Sequence, residues 1–361
     1  MQRLYDFEIL YFDPPVTLIA PVKDKKCLNR LTAWLKPGVK PVNHITVYAT
    51  PPVLPFYNKL RIINKINQFI IALFVKSKMK KHGFEKPVLW CYSPSSADAV
   101  KHIPKRGLIY DCVDRHSAYK GLISEKTVDG MEANLASMAN QVFTTSIGLY
   151  DTLKNYNPDT VMLPNGVNFE HFNQAASGSL PLPDDMKNIK RPVIGFSGML
   201  QECIDYSVIE HIAKSRPDYS VVLVGGEMPG VNLSGLKKYP NIHFLGLKKY
   251  AEMPAYLAAF DVCLNVFRSG SLSRDVSPLK FYEYMASGKP VVSTPQPEQV
   301  LGYGDAIYIA RGPRDFLDKT EEALSEPDDT RTKLRIAYAK ACSWDARVRE
   351  MLEMLKDRGL I

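Results

Sequence analysis

The segment SPLKFYEYMASGKPVV, residues 277–292, joins a helix start, a helix stop and a buried strand. Ser277 suits an N-cap, and Pro278 suits the first helical position, where its missing N–H is not needed. Gly288 supplies the stop. The helix expected over 278–287 carries Lys280 in its first turn and Glu283 three residues on, on the same face. A helix N-terminus offers unpaired N–H groups and a positive dipole end, so Lys280 there makes a phosphate site. Glu283, about one turn (~5 Å) deeper, only accepts hydrogen bonds when ionised and suits ribose hydroxyls. The competing reading is a surface Lys–Glu pair worth a few tenths of a kcal/mol. The apolar strands on either side, at 261–267 and 290–294, favour the phosphate site.

Outward from that segment, both halves of the chain alternate short apolar strands with helical patterns. This is the signature of an α/β protein with parallel sheets. Strands are expected at 7–12, 45–49, 87–93, 107–113, 141–146 and 160–164, and helices at 59–82, 124–139 and 147–155. In the second half, strands are expected at 192–198, 219–226, 241–246, 261–267, 290–294 and 306–310. Helices there fit 205–215, 252–259, 278–287, 314–326, 330–342 and 344–358. The Asn-Gly turn in LPNGVNFEHF and the Ser/Gly/Pro-rich stretch after it mark a linker. We expect two doubly wound, Rossmann-like domains facing a central cleft. One spans 1–165, with the last helix (344–361) packing back on it; the other spans 166–343. Ligands of such sheets bind beyond the strands' carboxyl ends.

The chain has 361 residues, 45% hydrophobic and 23% charged, within the globular range. No apolar run approaches a membrane span, and MQRLYDFEIL lacks the pattern of a signal peptide. The six cysteines are scattered and form no CxxC pair, which predicts reduced thiols in a cytoplasmic protein. Neither a DxD-type pair nor a His/Cys cluster suggests a metal, and no cofactor is expected. The net charge of +8 is uneven: residues 1–170 hold 22 Lys+Arg against 14 Asp+Glu, and the remaining residues hold 24 of each. The first half should therefore prefer an anionic partner.

Two more segments carry chemistry. YDCVDRHSAYKG (110–121) ends a strand and delivers Asp111, Asp114 and His116 to the edge of the first sheet. A transferase needs a base for an acceptor hydroxyl; Asp114 is the first candidate and His116 the second, against a capping Asp114 and a surface His116. The segment 59–84 carries Lys59, Arg61, Lys65, Lys76, Lys78, Lys80 and Lys81 without an acid before its end. Ile62, Ile63, Ile66, Phe69, Ile70, Leu73 and Phe74 recur in it at helical spacing. An ordinary helix packing that stripe on the sheet explains the pattern in part; docking on anionic lipid explains the charge. The aromatic residues do not form stacking platforms, which argues against nucleic acid.

SPLKFYEYMASGKPVVST resembles the nucleotide-sugar signature of GT-B glycosyltransferases of family 4 (group 1), with Asp275 and Glu283 as its two acids. LPNGVNFEHF resembles the interdomain hinge of that family. PVIGFSGML resembles its glycine loop, and FLGLKKYAEMPAYLAAFDVCLNVF its base-side loop. The most similar subgroup is the bacterial exopolysaccharide and teichuronic-acid transferases. The resemblance implies that Lys280 contacts the donor diphosphate, with Ser277, Pro278 and Leu279 around it, and Glu283 the ribose. Gly198 would approach the phosphates, and Gly246 and Leu247 would lie beside the base. Family members commonly carry Arg and Lys after the first strand of this domain. GMLQECIDYS has neither, so Arg268 or Arg274 would assist. The donor implied is a UDP- or GDP-type sugar nucleotide. The acceptor implied is a lipid-linked glycan at the inner face of the cell membrane, where the protein would sit peripherally. The family's opening strand and glycine loop have no counterpart before FEILYF. Either the start lies downstream of the true one, or the first sheet has an open edge. Two other readings share this architecture: a non-catalytic sugar-nucleotide-binding subunit, and a sugar-nucleotide 2-epimerase.

Overall fold

The computed structural model describes residues 1–119, 121–270 and 274–361, with the side chain of Lys23 excepted. The chain forms two compact units. Unit 1 comprises Met1–Thr145, Leu149–Leu163 and Val348–Ile361; unit 2 comprises Ser146–Gly148 and Pro164–Arg347.

Unit 2 is a single six-stranded parallel sheet. Its strands are β8 (Val193–Ser197), β9 (Ser220–Val224), β10 (Ile242–Gly246), β11 (Val262–Asn265), β12 (Val291–Ser293) and β13 (Tyr308–Ile309), in the order β10-β9-β8-β11-β12-β13. This is the doubly wound order, with the first strand central and paired on both sides. β8, β9 and β11 are buried along their whole length, which explains why they read as continuous apolar runs rather than alternations. Apolar cores lie on both faces.

Unit 1 differs. β1 (Ile9–Phe12), β2 (Val39–Val42) and β3 (Ile45–Tyr48) form one small sheet in the order β1-β3-β2. β4 (Val88–Cys91), β5 (Gly107–Cys112), β6 (Gln141–Thr144) and β7 (Thr160–Met162) form a second, all-parallel sheet in that order. β1 and β4 are both edges, so the strands of this unit fall into two separate sheets. The antiparallel β2 was not expected from the sequence; it is mostly exposed and carries Pro41, which disguises it.

The long helices follow the sequence expectation closely: α1 (Arg61–Lys81), α2 (Glu125–Met138), α3 (Ile147–Leu153), α4 (Tyr206–Ser215), α5 (Met253–Ala259), α6 (Leu279–Ala286), α7 (Pro313–Leu324), α8 (Thr330–Ala341) and α9 (Trp344–Asp357). Leu355 near the end of α9, and Leu360 beyond it, join Ile109, Phe143 and Leu163 in one apolar cluster of unit 1. α1 departs from expectation in orientation. Its buried face holds Asn64, Asn67, Gln68, Ile71, Ala72, Val75 and Met79, while Ile62, Ile66, Phe69, Ile70 and Leu73 are exposed. The asparagine amides have local partners: Asn67 pairs with both backbone groups of Leu54, and the Asn64 NH2 group donates to the Ser95 carbonyl and to Asp98, while the Asn64 carbonyl oxygen is buried without one. In the first half of the helix the amides therefore pack inward and leave an apolar stripe outside, while Ile71, Ala72, Val75 and Met79 carry the apolar core further along.

Candidate nucleotide-binding site

In unit 2 the carboxyl ends of β8, β9 and β10 meet the start of α6. Gly198, directly after β8, has φ of +133°, and Gly225, directly after β9, has φ of +154°. A Cβ on Gly225 would lie 1.9 Å from the Gly198 carbonyl oxygen, so only glycine permits that crossing. A Cβ on Gly226 would lie 3.0 Å from Leu247, which is 72% exposed just past Gly246, an αL residue. The four glycines and Leu247 thus form one rim.

Lys280 enters this rim from α6. A Cβ on Gly198 would be 3.3 Å from the Lys280 ammonium nitrogen, which marks how close the two lie. The ammonium sits 4.1 Å from the ring centre of Phe196 and 4.9 Å from that of Phe267, a cation–π box of two strand-end aromatics. Burial pushes it down to about 8. Glu283 is likewise half-buried, and burial pushes its carboxyl up to about 7, with the Lys280 charge opposing. No ion pair links the two side chains, and neither makes a hydrogen bond among the described residues, so the surface-pair reading does not hold. Two charges held in a low-dielectric recess without a hydrogen bond or ion pair disfavour the empty site, and a ligand that pairs them relieves that penalty.

The donors around Lys280 are more specific than the sequence suggested. The Gly198 N–H is used by the ladder, donating to the Val224 carbonyl at 2.8 Å. Among the described residues the N–H groups of Met199, Leu279 and Lys280 have no acceptor, and these remain for a ligand. Arg268 approaches the same point. Its N–H donates to the Cys203 carbonyl at 2.9 Å, and the Cys203 thiol feels both the Lys280 and the Arg268 charges. Arg274 instead pairs with Glu298 at 3.3 Å. Of the two arginines, Arg268 shares the neighbourhood of Cys203 with Lys280, while Arg274 is held by Glu298.

Two expectations for the helix start are corrected. Helix α6 runs Leu279–Ala286 with Pro278 at the N-cap, and no side chain caps it. Ser277 is not the cap. Its hydroxyl accepts from the Asn165 N–H at 3.1 Å and from the Gln299 amide at 3.0 Å, while the Asn165 side chain donates to the Ser277 carbonyl at 2.9 Å. The hydroxyl is used to tie down the hinge segment, which frees the helix terminus. Asp275 is buried against Gly148, where a Cβ would collide with its carboxylate. Gly288 ends the helix at φ of +73°, as expected.

Two residues that sequence reasoning missed fix α6 in place. The Tyr284 hydroxyl accepts from the Ser197 N–H at 2.7 Å and donates to the Ser197 carbonyl at 3.2 Å, so α6 grips the last residue of β8. Arg335, fully buried, donates to the Gly288 and Ala306 carbonyls and forms a bidentate pair with Glu326 at 2.7 Å. Nothing in the local pattern signals either; both act across long sequence separations.

In unit 1, Asp111 is buried rather than at a sheet edge. It accepts from the Trp90 indole at 3.1 Å, and burial pushes its carboxyl up to about 6. Asp114 is exposed just beyond β5, where the Tyr119 hydroxyl donates to it at 3.0 Å. The His116 ring meets the Tyr92 carbonyl at 3.0 Å through Nε2 and packs edge-on to Tyr119. Among the basic residues of 59–81, Arg61 is held by Asp98 at 2.9 Å, and Lys78 lies over the Tyr48 and Phe74 rings. Lys59, Lys65, Lys80 and Lys81 are exposed and Lys76 half-buried, beside the outward apolar stripe of α1. No helix of the described residues is long and apolar enough to cross a membrane.

The fold resembles that of known proteins. A family model described as Glycosyl transferases group 1 matches residues 191–326, the segment that carries the rim and α6. The Bacillus subtilis (strain 168) protein TuaH, assigned to teichuronic acid biosynthesis as a glycosyltransferase, is 26% identical over 263 residues. That match spans 68% of this chain and 66% of the relative. Sucrose-phosphate synthase from Thermosynechococcus elongatus superposes with a TM-score of 0.69 at 15% identity, covering 97% of this chain and 88% of that one. Anabaena HepE, solved in complex with UDP, gives 0.66 at 16% identity, covering 97% and 100%. At these identities the two structures speak to the fold. The chain is thus similar to the group 1 glycosyltransferases over residues 191–326 and shares its fold with these solved structures.

Proposed function

We propose that this chain transfers a sugar from a nucleotide-diphosphate sugar to a hydroxyl of a lipid-linked glycan, as part of surface polysaccharide synthesis. The observation that carries the donor half is the unpaired Lys280 ammonium beside Gly198, with the unpaired Glu283 carboxylate one turn away. In the transition state, charge develops on the leaving diphosphate. Lys280, Arg268 and the free N–H groups of Met199, Leu279 and Lys280 oppose that charge without a metal. Glu283 accepts from the ribose, and Leu247 offers the base an apolar face. The UDP complex of HepE and the assignment of TuaH support this reading. Asp114, with His116 nearby, is the proposed base for the acceptor hydroxyl.

The membrane half of the proposal rests on α1. Its outward stripe of Ile62, Ile66, Phe69, Ile70 and Leu73, flanked by Lys59, Lys65, Lys76, Lys80 and Lys81, has the form of an interfacial helix. It would hold the protein at the inner face of the cell membrane, where a lipid-linked acceptor resides.

The test is a panel of UDP- and GDP-sugars with a polyprenyl-linked acceptor, run on the wild-type chain, Glu283→Ala and Asp114→Ala. Transfer lost in both variants, with donor binding lost only in Glu283→Ala, supports the assignment. Tight donor binding without transfer to any acceptor would favour the binding-subunit reading.

A further inference from the structure

At the amino ends of the unit 2 strands, away from the glycine rim, lies a cavity of about 430 Å³, within the range of small-molecule sites. Its charged groups stand before three neighbouring strands. Arg191 precedes β8, Asp261 precedes β11 and Lys289 precedes β12, and these strands are adjacent in the sheet. Arg191 and Lys289 line the cavity. Arg191 is paired with Asp261, which also accepts from the Val193 N–H at 2.6 Å, so those two charges offset each other. Lys289 is half-buried, and its ammonium has neither a hydrogen bond nor an ion pair among the described residues. Burial pulls it below the usual lysine range, with Cys263 and Asp261 opposing and the Arg191 charge adding to the effect. One unbalanced cation is thus held partly out of water beside open space.

The rest of the wall is mostly small and apolar. α5 contributes Ala255, Ala258 and Ala259, and Leu180 and Leu182 add larger apolar surface. Among the described residues that line the cavity none is acidic, and none is aromatic, so no ring is there to stack a base. The wall is also fixed in advance. The buried Arg335 donates to the Gly288 carbonyl at 3.1 Å and to the Thr332 hydroxyl at 2.8 Å, and both of those residues line the cavity. The Asn173 amide donates to the Ala286 carbonyl at 2.9 Å, which ties the segment before Ala175 to the end of α6.

We propose that this cavity binds a small amphipathic carboxylate, its head on the Lys289 ammonium and its short apolar body along the alanines of α5, and that the bound ligand stiffens the end of α6. A single unbalanced positive charge suits a monoanion; a phosphate dianion would also face the Asp261 charge. A carboxylate on an ammonium makes a charge-assisted hydrogen bond, and the alanines leave room for the chain behind it. Ser287, Gly288 and Lys289 form the turn that ends α6, so a ligand lying on them restrains that helix. The effect on Lys280, at the other end of α6, rests on the donor reading; the cavity and its ligand do not.

The test is isothermal titration calorimetry of the 361-residue chain at pH 7 with butyrate, hexanoate and octanoate, and with 1-hexanol and inorganic phosphate as controls. Saturable binding should tighten about fourfold per added methylene. Hexanol and phosphate should each bind at least about tenfold more weakly than hexanoate. Lys289→Ala should weaken hexanoate about tenfold or more, with the melting point unchanged, and Lys289→Arg should restore it; this pair separates the cavity from any other apolar surface. Amide exchange over residues 279–290 should slow when hexanoate is bound to the wild-type chain. That readout needs no donor, so its failure leaves the donor assignment standing. The absence of saturable binding, an affinity indifferent to chain length, phosphate or hexanol binding as tightly as hexanoate, hexanoate binding unchanged in Lys289→Ala, or exchange unchanged at saturation would each overturn the proposal.

Discussion

The two units solve the same packing problem with different completeness. In unit 2 the central strand β8 is paired on both sides and fully buried, and the glycine rim grows from its end. In unit 1 β1 and β4 are each left as the edge of a separate sheet. The difference shows what a central strand does in a doubly wound sheet. It supplies ladder bonds to two neighbours, each worth about 0.5–1.5 kcal/mol net, and its carboxyl end carries the loop on which a ligand is built. Unit 2 has both. Unit 1 divides the seven strands of its described residues between two sheets, and neither has a central strand that ends in such a glycine rim.

If the completeness of unit 2 is what holds its site in place, the largest effect should come from breaking its buried clamp. Arg335 touches no part of the rim, yet it ties Gly288, at the end of α6, to Glu326. Removing one partner of a buried ion pair costs about 3–5 kcal/mol. Arg335→Ala should therefore lower the unfolding transition by that much in denaturant melts, and weaken donor binding only through loss of folded protein. A variant that binds the donor normally per folded molecule but melts early sharpens the contrast. Unchanged stability would mean that the clamp is not needed. Next in size is the site itself. Lys280→Ala removes a charge-assisted contact worth about 1.5–3 kcal/mol. The affinity for a nucleotide-diphosphate sugar should fall roughly 10- to 100-fold by calorimetry, with the melting point unchanged or raised, because an unpaired buried charge is gone.

The sequence made most of this fold legible, and the exceptions have physical causes. Period and punctuation located every strand of the unit 2 sheet within a few residues, because two-sided burial makes the inner strands apolar runs bounded by turn residues. The same periodicity found α1 but assigned its apolar stripe to the core. Hydrophobicity cannot report that Asn64 and Asn67 have partners waiting in Ser95, Asp98 and Leu54. Lys280 and Glu283 were legible because spacing on one short helix is local information. Ser277 was misassigned because its hydroxyl is claimed by Asn165, 112 residues away in sequence. The grip of Tyr284 on Ser197, 87 residues away, lay beyond any local pattern for the same reason.

pH offers a smaller and more discriminating probe of the same site. Burial holds the Lys280 ammonium down to about 8 and the Glu283 carboxyl up to about 7. Both shifts disfavour the charged forms that a donor needs. Affinity for a nucleotide-diphosphate sugar, whose phosphates do not titrate here, should be highest between about pH 7 and 8. Above pH 8, Lys280 loses its proton in the free protein and must regain it on binding. The affinity should then fall, by at most about tenfold per pH unit. Below pH 7, Glu283 is protonated and loses acceptor capacity, so the affinity should fall on that side too. Glu283→Gln should flatten the acid limb alone, and Lys280→Ala the alkaline limb alone. A profile that keeps both limbs in both variants would assign them to other groups.

The smallest expected effect lies on unit 1, where the exposed stripe of α1 has no counterpart in the well-packed unit 2. Each basic group close to an anionic bilayer adds about 1 kcal/mol, and salt screens it. Of the seven basic residues in this segment, Arg61 is bound to Asp98 and Lys78 covers two rings. Their removal would disturb packing and confuse the result. Lys65 and Lys80 are exposed, and neither has a salt bridge among the described residues. Lys65→Gln and Lys80→Gln should each weaken binding to phosphatidylglycerol vesicles by roughly fivefold, leave binding to neutral vesicles as it is, and leave donor affinity untouched. Phe69→Ser should weaken binding to both kinds of vesicle, because it removes buried apolar area instead of charge. If the lysine variants bind like wild type at low salt, the basic face is only a solvated surface, and the outward stripe needs an apolar partner of another kind.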